Sequence, residues 1–363
     1  MELPAARDSG FLASTMPVQS LYHTYKRYRT LQTDRITALP IVLLMPHSAC
    51  NCRCVMCDIW KGNDHLQQLT EEDVEDLIHS LKKLGTRQVV FSGGEALLHP
   101  NFFRFCELLK KEGMKITLLS TGITLKKNAA LLVQWVDELI VSLDGDEPTH
   151  NTIRNIPGAF QKLADGIAAV KRIDPSFRIT GRTVIHRLNF YKWPEIISSA
   201  KKIGLSQISF LPADVSSHAF NRDTLWDASR QQEIIPGEIE LAAFKIIMDH
   251  LFLDNREDFV SRFIAEPPAK IEMIYRHYAA YYGLTDFPYK KCNAPWVSAV
   301  VEADGTVRPC FFHEPYGNIK KDSLEKIINS ERAIVFRKQL DINNNDTCVK
   351  CTCYLNLSPR TNL

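Results

Sequence analysis

Residues 41–57 read IVLLMPHSACNCRCVMC: an apolar strand, Ile41 to Met45, stopped by Pro46 and followed by a loop with cysteines at 50, 52, 54 and 57. Cys50, Cys54 and Cys57 stand in the order Cys-x3-Cys-x2-Cys, a spacing that can hold three corners of an iron-sulfur cube from one short loop. The fourth iron then has no protein ligand, so it can bind a small molecule and pass it an electron, whereas a fully ligated cluster mainly relays charge. Cys52 breaks this spacing and reads as an ordinary buried thiol, as does Cys106 within a helical stretch from Asn101 to Lys111.

Outward from this loop the chain alternates strand and helix as far as about Pro212, with strands expected at 41–46, 87–92, 115–120, 138–143, 178–185 and 206–211. The helix Thr70 to Leu84 is the clearest of the intervening ones. Thr70 can cap it, Asp73 sits where a carboxylate meets the free amides, and Val74, Leu77, Ile78, Leu81 and Leu84 form one apolar face. Gly85 ends it. Strand–helix alternation implies a parallel sheet, and six strands suit an α/β fold of the partial (β/α)6 TIM-type barrel class. Reactive groups of such folds gather at the carboxyl ends of the strands. Four segments obey this rule: the Cys loop after the first strand, Ser92-Gly93-Gly94-Glu95 after the second, Ser120-Thr121-Gly122 after the third, and Ser142-Leu143-Asp144-Gly145 after the fourth.

These four segments, in this order, resemble the radical S-adenosylmethionine superfamily. The resemblance implies a [4Fe-4S] cluster on Cys50, Cys54 and Cys57, with S-adenosyl-L-methionine as second cofactor. Ser92, Gly93, Gly94 and Glu95 look like the segment that grips the methionine amino group: glycine lets the backbone approach closely, and a carboxylate accepts from an ammonium. Ser120, Thr121, Ser142 and Asp144 are similar to family segments near the ribose and carboxylate. The residue before the third cysteine is commonly aromatic in the family and packs near the adenine; here it is Met56, whose soft thioether can fill the same space. Arg154, Arg182, His186, Asn189 and Asp214 are candidates for cofactor-carboxylate or substrate contacts, and no catalytic acid or base is assigned. The implied activity is reductive cleavage to a 5'-deoxyadenosyl radical that removes hydrogen from a substrate, with electrons from a reductant such as flavodoxin or ferredoxin.

A second cysteine group opens at Cys292. A strand with Trp296 to Val301, the turn Asp304-Gly305, a strand carrying Cys310, a helix near Ser323 to Asp341 and then Cys348-x2-Cys351-x-Cys353 follow it. Asp-Gly between β-rich runs predicts a hairpin that brings Cys292 and Cys310 together. Cys292, twelve residues, Gly305, four residues and Cys310 resemble the opening of the α+β SPASM domain, or its shortened form called Twitch. The longer form needs about seven cysteines for two clusters. Five are present, so one auxiliary [4Fe-4S] cluster is expected on Cys292, Cys310, Cys348 and Cys351, with Cys353 able to replace Cys351. Two separated cysteine pairs also suit tetrahedral zinc, and spacing alone does not exclude it.

The expected organisation is an N-terminal extension (1–40), the barrel (41–215), a helical bridge (216–291) and the SPASM/Twitch-like domain (292–363). The chain's 363 residues, 45% of them hydrophobic, suffice for two cores, and a formal charge of +2 gives no electrostatic footprint for nucleic acid. No apolar run approaches the ~18 residues of a membrane span, and no basic-then-apolar start marks export. The expectation is a cytoplasmic protein without transmembrane segment. Leu21 to Arg35 interleaves Tyr22, Tyr25 and Tyr28 with Lys26, Arg27 and Arg29; it reads as a helix packed on the barrel, with a phosphate or membrane surface as the alternative. Tyr275, Tyr278, Tyr281 and Tyr282 read as packing before cavity lining. About forty residues precede the first strand, fewer than the ~80 a separate leader-peptide-binding domain needs, which favours a small-molecule substrate such as a sugar, nucleoside or lipid precursor over a peptide, with a non-catalytic metal-binding protein as the remaining alternative.

Overall fold

The computed structural model describes residues 18–222 and 224–361, with side chains from residue 21. Six strands, β1 (Ile41–Leu44), β2 (Gln88–Phe91), β3 (Lys115–Ser120), β4 (Glu138–Ser142), β5 (Ile179–Ile185) and β6 (Gln207–Pro212), lie parallel in sequence order, with helices between them. This is the α/β partial barrel. The reason is local: each crossover is an amphipathic helix whose apolar face covers the sheet. In the helix Glu71–Leu84 the capping box forms, Thr70 Oγ1 accepting from Asp73 N at 3.1 Å and Asp73 Oδ2 from Thr70 N at 2.8 Å. Gly85 closes it at φ +65°, and Val74, Leu77, Leu81 and Leu84 are buried.

An open barrel exposes two strand edges, and both are covered here. Beyond β6, Ile208 N donates to Phe263 O at 2.7 Å, and Ala265 N donates to Ile208 O at 2.8 Å. Beyond β1 lies β7 (Ser298–Val301), parallel to it in the register Ile41↔Ser298 to Leu44↔Val301. β8 (Thr306–Arg308) and β9 (Gly317–Asn318) continue the same nine-stranded sheet antiparallel. The C-terminal cysteine segment is thus built onto the barrel's own sheet.

Details of that segment differ from the sequence expectation. Trp296 lies in a helical turn, Ala294–Val297, before β7, and Cys310 falls two residues beyond β8. The helix expected over 323–341 is broken into Leu324–Ile328 and Glu331–Gln339. The break has a cause: Asn329 turns its side chain to the backbone of Ile36, 2.8 Å from N and 3.0 Å from O, and Ser330 starts a new helix by capping Ala333 N. The N-terminal helix Val18–Thr33 docks through Thr30 and through Arg27, whose Nη1 reaches Thr361 O at 2.6 Å; Tyr22, Tyr25 and Tyr28 are exposed. Tyr278 is buried and ties the barrel's last strands, its hydroxyl donating to Ile185 O and accepting from Ala213 N. Among the described residues no helix is long and apolar enough to cross a membrane.

Candidate functional site

The Cys loop is held by its backbone from several sides. Asn63 pairs with both backbone groups of Cys50 at 2.9 Å, Arg53 N donates to Arg154 O at 3.0 Å, and Val55 N donates to Ile153 O at 3.1 Å. From the far side, a stretch after β6 clasps the loop: Arg222 donates to Met56 O, Trp226 Nε1 to Asp58 Oδ2 at 2.8 Å, and Arg230 to Val55 O. Arg222 is itself buried and paired with Asp214. No sequence pattern announces this clasp, because its residues become neighbours of the loop only when β6 closes the barrel.

Cys50 and Cys57 are partly exposed, and Cys54 is buried. Burial pushes the Cys50 thiol up to about 11 and Cys57 up to about 12, with repulsion from neighbouring thiolates adding to both. A hydrogen bond from Cys52 pulls Cys54 down to about 7, while that same bond and burial push Cys52 up. Three crowded thiols of this kind become thiolates when cations compensate them, which is the demand an iron-sulfur cluster meets. Among the described residues no three such side chains converge on a single ion; a cube takes its thiolates at separate corners. The donor set fits the cluster.

The glycine-glycine-glutamate segment touches this loop directly. Gly93 has φ +113°, and Glu95 N donates to Ala49 O at 2.7 Å. A Cβ on Gly94 would stand 2.0 Å from Ala49 O and 2.5 Å from Ala49 C, so the space this glycine leaves free is filled by the backbone ahead of Cys50. Gly94→Ala is therefore expected to displace the Cys loop and to reduce cluster iron and S-adenosylmethionine cleavage together. Native iron content with weakened cofactor binding alone would show that the glycine serves the ligand and not the loop.

Glu95 is fully buried. It accepts from Ser120 Oγ at 3.0 Å, Thr121 N at 2.7 Å, Thr121 Oγ1 at 2.7 Å and Leu97 N at 3.3 Å. Burial pushes its carboxyl up, against the pull of these donors. Thr121 Oγ1 also lies 2.9 Å from Asn51 Oδ1, so one chain of contacts joins the ends of β2 and β3 to the Cys loop. Asp144 is likewise buried and engaged: Arg154 forks onto it through Nε at 2.6 Å and Nη2 at 3.0 Å, with His150 Nδ1 at 3.2 Å. Burial is the largest single influence and would raise its pKa, but the Arg154 charge together with the contacts to His150 and Arg154 outweighs it and holds the carboxyl well below the usual carboxylate range. Asn189 Nδ2 donates to Asp144 O at 3.0 Å, and His186 is buried beside them, lowered to about 4 by desolvation. Ser142 and Arg182 are register partners on β4 and β5, partly exposed, as is Ser92. Asn51 Nδ2 and Arg182 Nε are buried without hydrogen-bond partners among the described residues, as polar groups awaiting a ligand would be.

The second group also comes together. Cys292, Cys310, Cys348, Cys351 and Cys353 line one cavity with Lys290 and His313. His313 Nε2 lies 3.2 Å from Cys348 Sγ. Burial pushes Cys310 up to about 12 and Cys348 to about 11, each with a contribution from Cys292. All five stay within reach, so the geometry leaves Cys351 and Cys353 as alternatives.

Comparison with known proteins agrees with this geometry. Residues 44–200 match the family model described as the radical SAM superfamily, and residues 292–352 match that of an iron-sulfur cluster-binding domain, SPASM. An AdoMet-dependent heme synthase of Methanosarcina barkeri is 25% identical over 307 residues, 81% of this chain and 82% of that protein. The antilisterial bacteriocin subtilosin biosynthesis protein AlbA of Bacillus subtilis is 24% identical over 290 residues, 77% of this chain but 57% of AlbA. Streptococcus suis SuiB, solved bound to its precursor peptide SuiA, shares the fold at TM-score 0.63 and 12% identity, over 96% of this chain and 77% of that one. The chain belongs to the radical SAM superfamily of enzymes, with a [4Fe-4S] cluster and S-adenosylmethionine as cofactors of its barrel and an auxiliary iron-sulfur centre in its SPASM domain.

Proposed function

We propose that the chain acts on a small-molecule substrate that carries an anionic group. The observation behind this reading is a cavity of about 120 Å³ between β5, β6, the helix Pro268–Tyr281 and residues 351–354. Arg182, Lys270 and Lys290 bring positive charge to its wall. The carboxylate there, Glu266, accepts from Ser209 Oγ at 2.8 Å and Phe210 N at 3.0 Å and offsets one of these three charges, so the Arg, Lys and Glu side chains of the wall sum to a positive charge.

When bound, the cluster and S-adenosylmethionine supply a 5'-deoxyadenosyl radical for hydrogen abstraction, chemistry that belongs to the cofactors. The chain's own part is to hold and orient. Cys50, Cys54 and Cys57 would anchor the cluster, and the backbone of Ser92 to Gly94 would hold S-adenosylmethionine. Arg182 takes a carboxylate of cofactor or substrate, and Lys270 fixes the substrate's far end. A flavodoxin- or ferredoxin-like reductant delivers the electron. Likeness to a heme synthase supports a carboxylate-bearing small molecule; likeness to AlbA supports the second reading, a peptide.

The test is transfer of deuterium into 5'-deoxyadenosine from labelled candidates. Transfer from an acidic small molecule, reduced at least tenfold by Lys270→Ala, is the expected result. Transfer confined to peptides would replace the first reading by the second.

A further inference from the structure

We infer that Arg154 is a positioning residue for the cluster itself: it donates from a buried ion pair to the Cys54 sulfur and raises the cluster's reduction potential. This rests on the reading that Cys50, Cys54 and Cys57 hold that cluster. Arg154 is 7% exposed and divides its three side-chain nitrogens between two partners. Nε and Nη2 are spent on the Asp144 fork, whereas Nη1 points away from it and lies 3.4 Å from Cys54 Sγ. The fork cannot swing. Asp144 is fully buried and also in contact with His150, Asn189 holds its carbonyl, and the Arg154 carbonyl receives Arg53 N from the Cys loop. Loop and arginine are therefore fixed to one another through backbone as well as side chain.

The consequence follows from charge. Reduction places an extra electron on a cluster whose thiolates share its density, and N–H donors to those sulfurs stabilise the more negative form. A donor locked in place makes that contribution without rearrangement on each cycle. Arg154 and Asp144 thus serve the iron centre, with three of the guanidinium N–H groups committed to Asp144 and Cys54.

The experiment is an electron paramagnetic resonance redox titration of the anaerobically reconstituted full chain, using the barrel cluster's signal. Arg154→Gln is expected to shift the midpoint to more negative potential, so that the reduced-to-oxidised ratio at the wild-type midpoint falls about tenfold, which is ~59 mV for one electron. The wild-type reduced cluster is expected to show an exchangeable-proton coupling from this N–H, and Arg154→Gln should lose it. Arg154→Lys keeps the charge and a donor and should recover part of the shift. Because Arg154→Gln strands a buried carboxylate, Arg154→Gln with Asp144→Asn is made in parallel; it removes both charges and should show the same shift if the single variant does not fold. A wild-type midpoint and an intact proton coupling in whichever of these variants carries the cluster overturns the inference. Absence of any cluster signal in wild type overturns instead the reading of the loop, and this inference with it.

Discussion

Replacing Cys50, Cys54 and Cys57 together by Ala is expected to lower S-adenosylmethionine cleavage to the level of protein-free controls and to remove about four irons per chain. The loss should be confined largely to the metal centre, because most of the loop's ties run through groups other than its thiols. Asn63 holds Cys50 through backbone groups, Ala49 O receives Glu95 N, and Arg222, Trp226 and Arg230 reach carbonyls or Asp58. Cys52 survives in the variant but is only 1% exposed and packed in the core, so it does not rebuild the site. Anaerobic iron analysis together with chromatography of 5'-deoxyadenosine checks both parts. Cleavage at the wild-type rate in the triple variant would sink the assignment of the reactive centre.

What the sequence makes legible is what has a short period or a fixed spacing. Strands β1 to β6 follow the apolar runs to within a few residues, and Thr70, Asp73 and Gly85 mark a helix whose cap and stop then appear as such. The three-cysteine loop is a spacing too. Illegible were the relations between distant segments. Pairing of β7 with β1 joins residues some 250 apart, and nothing in Ser298 to Val301 says which edge it will cover. The polar residues Glu95, Asp144 and Arg154 were read as ligand contacts, since a charged group after a strand is all that sequence reveals. Folded, each is buried and engaged with another part of the chain: Glu95 with Ser120 and Thr121, Asp144 with Arg154. Gly94 belongs with them. Its missing side chain reads as room for a cofactor, yet the atoms that need the room are those of Ala49.

The second large effect is expected at the other cysteine group. Intact anaerobic protein should carry about eight irons if both centres are cubic, and Cys292→Ala with Cys310→Ala should remove about four of them. Loss of metal there should also loosen the chain locally. From Leu340 to Thr361 the regular structure is a five-residue helix, Asp346–Lys350, and the ties to the rest are scattered single contacts, among them Lys290 Nζ to Val349 O at 2.6 Å, Asn293 N to Leu355 O at 2.7 Å, the Asn293 side chain to both backbone groups of Leu357 at 2.8 Å, and Arg27 Nη1 to Thr361 O at 2.6 Å. Metal–thiolate bonds add to a stretch that otherwise depends on such ties, and metal binding of this kind is folding free energy. Limited proteolysis should therefore cut within 340–361 in the double variant sooner than in wild type. β7 keeps its backbone pairing with β1, so the barrel and its own cluster should persist and retain some S-adenosylmethionine cleavage uncoupled from substrate. Zinc in place of iron at this site, or about four irons in intact anaerobic protein, would show that Cys292, Cys310, Cys348, Cys351 and Cys353 hold something other than a cubic cluster.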